Sequence, residues 1–200
     1  MANNTDRKSL RIREISEDDK GTLWIGTENT GICRMNLKDG IIVPYGAEQS
    51  MKSDRRVTLS LMHHDGNVFC GLFKNGMEII RPDGRSLHLS QDKLKWQGSL
   101  HAHIVCNDGM HYVGTDRGIY RIAKNSKEFE FLPYSEGYWI FDLMQDDKGN
   151  IWAASMGRGV FKIDPQGHVR RYQHRQGDER SLSSNSVSSI MQDSKGNIWF

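Results

Sequence analysis

The chain has 200 residues, of which 36% are apolar and 26% charged, and its formal net charge is +2 at pH 7. This balance excludes a disordered chain, and it gives no reason to expect nucleic acid or an anionic membrane as a partner. No apolar run approaches the roughly 18 residues of a membrane helix, and the polar first residues lack the apolar core of a signal peptide.

One short block occurs five times along the chain. In each copy a turn glycine is followed three residues later by an aromatic residue, and successive glycines are 45, 43, 40 and 47 residues apart. The copies are Asp19–Thr27, His64–Leu72, Asn107–Thr115, Asp147–Ser155 and Ser194–Phe200. Periods of 20 to 50 residues indicate a repeat architecture.

Each repeat predicts four short strands, A to D in chain order. Apolar residues before the turn glycine form strand A, the aromatic residue lies on strand B, and a second glycine opens strand C before a polar turn and strand D. Four antiparallel strands per repeat, without helical periodicity, are typical of β-propeller blades. The sequence therefore predicts an all-β fold with approximate repeats at 9–50, 51–95, 96–134, 135–180 and 181–200.

The strand-B aromatic residues are predicted to fill the space between neighbouring blades, because they recur at one position in every repeat. They are Trp24, Phe69, Tyr112, Trp152 and Trp199. A small residue two places later, such as Gly114, predicts a close approach of neighbouring backbones. Four and a half blades form an arc of a seven-bladed ring, so we expect exposed sheet edges that favour self-association.

Several segments carry a family resemblance. They are Asp18–Thr27, Asp146–Trp152, Asp193–Trp199 and the lead-in Ser181–Ile190. These segments resemble the two-component regulator propeller repeat, and the resemblance extends from about residue 9 to the end. The second and third copies depart from the pattern, with Phe69 and Tyr112 in place of tryptophan and no lysine before the turn glycine.

The resemblance implies a periplasmic propeller segment of a membrane-anchored hybrid two-component receptor. It implies a non-catalytic sensor that detects a small molecule or oligosaccharide and needs no cofactor. Its partners would be the remaining blades and signalling domains of the parent chain, and a homodimer in signalling. Kinase activity is not assigned to this segment.

The ligand site is expected on one face of the propeller. Strand order places the B–C and D–A loops on the same face, and these loops vary between repeats, as binding loops on a rigid scaffold do. Sugar recognition uses aromatic platforms and planar polar donors. The candidates are Asn29, Trp96, Arg117, Tyr138, Trp139 and Arg158.

No metal site is predicted. His101 and His103 alternate along a strand and are expected to point to the same side, but no third ligand is near in sequence. The Asp-rich turns are explained by hairpin chemistry rather than by calcium. The three cysteines are interpreted as small apolar strand residues; they are Cys33, Cys70 and Cys106.

Two other functions remain open. A propeller enzyme of the lyase or glycosidase type would carry catalytic acids or a histidine-bound metal on its inner strands, where the polar residues are Asp142, His101 and His103. An intracellular interaction scaffold of the WD40 or kelch type is disfavoured, since the Trp-Asp dipeptide and the Gly-His lead-in are missing.

Overall fold

The computed structural model describes residues 11–28, 31–45, 57–73, 76–90, 92, 98–122 and 129–200. Their strands form four four-stranded antiparallel sheets and one two-stranded sheet, in each of which consecutive strands pair. We number the sheets blades 1 to 5 in chain order. The arrangement is a partial β-propeller, as the repeats predict.

The strands follow the predicted A-to-D order. Blade 1 comprises β1 (Ile12–Glu17), β2 (Thr22–Thr27), β3 (Ile32–Asn36) and β4 (Ile42–Pro44). Blade 2 comprises β5 (Val57–His64), β6 (Asn67–Leu72), β7 (Met77–Ile80) and β8 (Ser86–Leu89). Blade 3 comprises β9 (Leu100–Val105), β10 (His111–Thr115), β11 (Ile119–Ile122) and β12 (Glu130–Phe131).

Blade 4 comprises β13 (Ile140–Gln145), β14 (Ile151–Ser155), β15 (Gly159–Ile163) and β16 (Val169–Tyr172). Blade 5 comprises β17 (Met191–Gln192) and β18 (Ile198–Trp199). The A strands of blades 1 to 4 lie side by side in chain order at the inner edge of the arc. No helix among the described residues is long and apolar enough to cross a membrane.

The A–B turn of blade 4 is held by one carboxylate. Asp146 accepts hydrogen bonds from the backbone N–H groups of Lys148 and Asn150, and from the indole N–H of Trp152 at 2.8 Å. Burial opposes ionisation of Asp146, but these hydrogen bonds outweigh it and hold its pKa below the usual value. The carboxylate thus ties the turn to the strand-B tryptophan.

The same bond recurs only where strand B carries tryptophan. Asp18 accepts from the Trp24 indole at 2.9 Å, and Asp193 accepts from the Trp199 indole at 3.0 Å. Blades 2 and 3 have His63 and Cys106 at this turn position, and their strand-B residues have no indole N–H to satisfy. The aspartate and the tryptophan therefore change together, a pairing at six-residue spacing that the sequence contains but that we did not predict.

Each of the first four strand-B aromatic residues packs against the next blade in the chain. Trp24 shares a cluster with Leu61 and Val68 of blade 2, whereas Trp152 packs against Val187 and Ile190 at the start of blade 5. The other two lie in comparable clusters. The first four aromatic residues are 7–9% exposed: Trp24, Phe69, Tyr112 and Trp152. Rings of this size bury on the order of 150–250 Å² each, so these joints dominate the core.

Trp199 differs from the other four. Its side chain is 58% exposed, although it donates to Asp193 as the other tryptophans donate to their aspartates. The described residues include no sixth blade to cover its outer side. In this structure Trp199 is therefore not part of an inter-blade core, which corrects the prediction for this residue.

The small residue after the strand-B aromatic permits the close approach that was predicted. A Cβ on Gly114 of β10 would lie 2.6 Å from Ile140 Cγ2, at the start of the inner strand of blade 4. Ile140 is fully buried at this contact. Blades 3 and 4 therefore meet backbone against side chain, with no room for a methyl group.

Two cysteines occupy the strand positions that the sequence indicates, and the third does not. Cys33 lies on β3 and Cys70 on β6, and both are buried. Cys106 is also buried, but it follows β9 and stands in the A–B turn at the position of Asp146 in blade 4. Its placement reflects the loss of the aspartate–tryptophan pair in blade 3 rather than strand packing.

The joint between blades 2 and 3 contains a buried histidine pair. His103 Nε2 lies 3.0 Å from His111 Nδ1, and both rings meet Phe69 of blade 2 edge to face. In blade 4 the same two positions hold Leu143 and Ile151. Burial, with smaller contributions from His111 and His64, lowers the pKa of His103 to about 3, and burial also lowers the pKa of His111.

This pair predicts an acid-sensitive fold. The unfolded chain gains a proton on His103 below about pH 6.5, whereas the folded chain does so only near pH 3. The contribution of neutral His103 to the free energy of unfolding is therefore fully present above pH 6.5. It decreases as the pH falls, by up to about 1.4 kcal/mol per pH unit. Urea unfolding at pH 7 and at pH 5 gives the decrease in the free energy of unfolding between them. We expect this decrease to be roughly 2 kcal/mol smaller in the double variant His103→Leu/His111→Ile than in the parent. An identical pH dependence in both proteins would contradict the prediction.

Candidate functional site

The B–C and D–A loops lie together on one face, as the strand order predicts. The Gly137 N–H donates to the Arg117 carbonyl, and the Met156 N–H donates to the Trp139 carbonyl, each at 2.9 Å. The Asp116 N–H likewise donates to the Ser99 carbonyl at 3.3 Å. These backbone hydrogen bonds hold the loops of blades 3 and 4 together on this face.

A cavity of about 330 Å³ opens between the inner strands of blades 1 to 4 and the segment that leads into blade 5. Its wall is built mainly from the A strands and is polar, with one aromatic ring. The principal lining residues are Glu14, Ser60, His101, Phe141, Asp142 and Ser189. Such a volume accommodates a small ligand.

β-Bulges explain which strand-A residues enter the cavity. The strand register shifts at His101 in β9 and at Phe141 in β13, so each is an extra residue without a ladder partner. A bulged residue is turned out of the regular alternation. His101 therefore faces the cavity and blade 4, whereas His103 packs against Phe69 of blade 2. Both histidines line the cavity, but the bulge at His101 directs the two rings toward different neighbouring blades.

Two carboxylates face the cavity from opposite sides of the arc. Burial raises the pKa of Glu14 in blade 1, and the negative charge of Asp142 in blade 4 raises it further. Asp142 Oδ2 accepts a hydrogen bond from Ser189 Oγ at 3.0 Å and another from the Ile190 N–H at 2.8 Å. Asp142 thus joins blade 4 to blade 5, and Glu14 is the carboxyl group that remains for a ligand.

His101 presents an unsatisfied polar atom at this wall. Burial lowers its pKa, so the ring is neutral near pH 7. Its Nδ1 is buried and has no hydrogen-bond partner. The ring stacks on Trp139 with 6.0 Å between centroids and an interplanar angle of 21°.

Trp139 stands at the rim of the cavity. Its indole is held by His101 and, edge to face at 6.4 Å, by Phe141, and both of these residues line the cavity. Nevertheless 47% of Trp139 is exposed to solvent. A large aromatic ring that packs on other rings on one side and is exposed to solvent on the other can stack against a flat apolar face of a ligand. We call Trp139 the stacking platform.

Tyr138 and Arg158 are brought together beside this platform. The Arg158 guanidinium lies over the Tyr138 ring, 5.0 Å from its centroid, and Tyr138 stacks on Phe161. Arg171 Nη1 also reaches the Tyr138 hydroxyl, at 3.4 Å. No pattern in the sequence singles out Arg171, because it is one of two adjacent arginines on strand D.

Four of the six predicted ligand residues thus fall on one loop cluster: Arg117, Tyr138, Trp139 and Arg158. Nothing in the structure tests whether they bind a ligand, and that part stays a prediction. Asn29 and Trp96 lie outside the described residues. No group of three or more histidine, cysteine or acidic side chains is arranged for a metal ion among the residues that are described.

Two segments of the chain, residues 7–29 and 181–200, match the family model described as two component regulator propeller. The match coincides with the first repeat and with the lead-in and strands of the fifth, and the family resemblance of the sequence is confirmed there. No curated protein sequence matches the chain.

Solved structures with the same fold include the extracellular domains of two hybrid two component systems. The extracellular domain of BT3049 from B. thetaiotaomicron, described as a hybrid two component system, has a TM-score of 0.76 and 23% identity, over 94% of this chain and 25% of that one. BT4673 from the same organism, with the same description, has a TM-score of 0.73 and 17% identity, also over 94% and 25%. The chain spans about a quarter of the length of these two proteins.

The fold is shared with an enzyme as well. Virginiamycin B lyase from Staphylococcus aureus has a TM-score of 0.75 and 18% identity, over 95% of this chain and 62% of that one. At such identity the likeness shows the propeller fold alone, so function must be argued from the site.

Proposed function

We propose that this chain is a non-catalytic, ligand-sensing part of a propeller in a bacterial two-component receptor, and that its ligand is an oligosaccharide. The observation that carries the proposal is the exposed Trp139 platform at the rim of the inner cavity. The family match at residues 7–29 and 181–200 supports the receptor class. The two sensor domains with this fold support it further.

The proposal includes a place and partners for the segment. In the two similar sensors the propeller is extracellular, which supports a periplasmic position for this one. Its partners would be the further blades and signalling domains of a receptor chain, and a second receptor in a homodimer. Ligand binding would act by favouring one of two receptor states, by as much as its difference in affinity for them.

The aromatic rim and the polar wall of the cavity would make different contacts with the ligand. Trp139 would stack against the apolar face of a sugar ring, and Glu14 and the free Nδ1 of His101 would take its hydroxyl groups. A hydroxyl that satisfies the buried Nδ1 gains directional selectivity, because an analogue without it leaves that atom unpaired. Each of these roles is binding, and none requires a bond to be broken.

The binding proposal predicts the effect of Trp139→Ala. The full chain should bind at least one glycan on an array of neutral and acidic oligosaccharides. The variant should bind that glycan about tenfold more weakly by calorimetry, which corresponds to about 1.4 kcal/mol of lost stacking. Trp199→Ala is the matched control, because Trp199 is also exposed but makes none of the ring contacts with the cavity wall that the described residues give Trp139. An unchanged affinity of the Trp139 variant would exclude the platform.

An enzyme of the lyase type is the second candidate, favoured by the shared fold with virginiamycin B lyase and by Glu14 and His101 on the cavity wall. The raised pKa of Glu14 suits an acid catalyst. Against it, the other wall carboxylate is committed to blade 5. Incubation of the bound glycan with the chain should leave it intact by mass spectrometry, and cleavage that Glu14→Gln abolishes would establish the enzyme instead.

A further inference from the structure

Two arginines bracket one tyrosine on the loop face. The Arg158 guanidinium lies over the Tyr138 ring at 5.0 Å, and Arg171 Nη1 donates to the Tyr138 hydroxyl at 3.4 Å. Arg171 also lies over the Phe161 ring at 5.8 Å, and Phe161 stacks on Tyr138 with 5.6 Å between centroids. Aromatic faces thus hold both guanidinium groups near the same side chain.

No carboxylate of the described residues neutralises these two arginines. Among the described residues neither Arg158 nor Arg171 forms an ion pair, whereas Arg13 pairs with Glu28 at 2.9 Å and Arg121 with Glu130 at 2.7 Å. A guanidinium over an aromatic ring is attracted to it but keeps its full charge. Two such charges converging on one tyrosine repel each other unless an anion lies between them.

A third arginine, Arg117, lies on the neighbouring B–C loop of blade 3. The Arg117 carbonyl accepts the Gly137 N–H, which fixes the Arg117 backbone beside the residue that precedes Tyr138. Arg117 is exposed and forms no ion pair within the described part of the chain. The only acidic residue in this turn, Glu136, pairs with none of the three arginines. Because Asp116 beside Arg117 is also acidic, the three arginines exceed the carboxylates of these loops by one charge.

We infer that Arg158 and Arg171, with Tyr138 between them, form a subsite for an anionic substituent, a carboxylate or a sulfate, on the sugar ligand. The inference rests on the proposed function and narrows its ligand to an acidic oligosaccharide. A planar guanidinium binds such oxyanions through two parallel hydrogen bonds, and two of them give a fork on each side. The Tyr138 hydroxyl is a further donor at the same point.

The subsite lies within reach of the stacking platform. Tyr138 and Trp139 are consecutive, so their Cα atoms are about 3.8 Å apart. The Met156 N–H donates to the Trp139 carbonyl at 2.9 Å, which places the loop of Arg158 against the platform. A sugar that stacks on Trp139 can thus direct its acidic group, or that of the next sugar, to the arginines.

The chain offers a matched control in Arg170. It neighbours Arg171 on β16 and is likewise exposed and without an ion pair among the described residues. Its guanidinium lies over Tyr172, 4.9 Å from the ring centroid, and Tyr172 packs on Trp152 in the joint to blade 5. Arg170→Gln therefore removes the same charge from the same strand without touching Tyr138.

The test compares three oligosaccharides of equal length, one neutral, one carrying uronic acid and one carrying sulfate, by calorimetry on the full chain. We expect an acidic sugar to bind at least tenfold more tightly than the neutral one, with a preference that weakens as salt is added. Arg158→Gln/Arg171→Gln should abolish this preference and leave the neutral sugar within twofold. Arg170→Gln should keep the preference. Whichever acidic sugar binds better identifies the substituent.

Each other outcome overturns the inference. Equal affinity for the neutral and acidic sugars overturns it and leaves the proposed function standing, whereas failure of all three sugars to bind overturns both. A preference that survives in the double glutamine variant, or that Arg170→Gln removes equally, shows a general charge effect. If the glutamine variant is unfolded by circular dichroism, Arg158→Lys/Arg171→Lys serves in its place. The lysine variant keeps the positive charges but cannot form the paired hydrogen bonds of a guanidinium. If it prefers the acidic sugar as strongly as the parent does, that result also contradicts the subsite.

Discussion

Replacement of Trp152 by alanine should destabilise the chain by about 3–5 kcal/mol, the range for loss of a large aromatic side chain from a core. Trp152 is 7% exposed, packs against Val187 and Ile190 of the next blade, and stacks on Tyr172 at 5.6 Å. The variant also deprives Asp146 of its indole donor at 2.8 Å. The cavity would open at the joint between two blades, where collapse of either sheet is restricted by its own strand pairing.

The control is Trp199→Ala at the same repeat position. Trp199 makes the equivalent bond to Asp193 but is 58% exposed, so its removal should cost about 1 kcal/mol or less. Urea unfolding followed by circular dichroism measures both, because fluorescence would change with the deleted indole itself. Equal losses in the two variants would show that the tryptophan acts through its turn bond and not through burial between blades.

Gly159→Ala should be nearly as damaging. Gly159 opens strand C of blade 4 with φ of +79°, and a Cβ there would overlap the Tyr172 carbonyl oxygen on strand D. The methyl group must displace backbone, and the left-handed conformation adds strain. We expect a loss of about 3 kcal/mol or more in the free energy of unfolding.

Gly157→Ala separates the two causes. Gly157 has φ of +74°, almost that of Gly159, but a Cβ there meets nothing within 4 Å. Its substitution should therefore cost only the conformational penalty, about 1 kcal/mol. Urea unfolding of both variants gives the difference, which is the contribution of close packing between strands C and D. Identical costs would mean that the backbone at Gly159 moves aside freely.

Most of the fold was predictable because it depends on local features that recur. A turn glycine with an aromatic residue three places later fixes the hairpin and the start of the core in every blade. The pattern does not determine which of the two neighbouring blades each aromatic residue packs against. Both faces of a blade are apolar, so periodicity does not say that Trp24 packs on blade 2. That direction follows from the twist of successive sheets, which a linear pattern does not contain.

The sequence predicts which loops form the candidate site. It does not predict which side chains are in contact there. Strand order alone placed Arg117, Trp139 and Arg158 on one face. The contact of Arg171 with Tyr138 joins residues 33 positions apart in sequence, and the bond from Ser189 to Asp142 joins residues 47 apart. The bulge at His101 depends on how β9 aligns with β10. Such contacts arise from tertiary register, which short-range spacing does not specify.

The histidine pair has a consequence for how this chain could have arisen by duplication of a single blade. Repeat arrays grow and shrink easily when every unit fits every neighbour. A copy of blade 4 placed after blade 2 would set Leu143 and Ile151 against Phe69, where His103 and His111 now lie. A copy of blade 3 placed after blade 4 would set both imidazoles against an indole instead of a phenyl ring. Duplication or exchange of blade 3 would therefore copy or move the acid-sensitive joint, even where it keeps the number of blades.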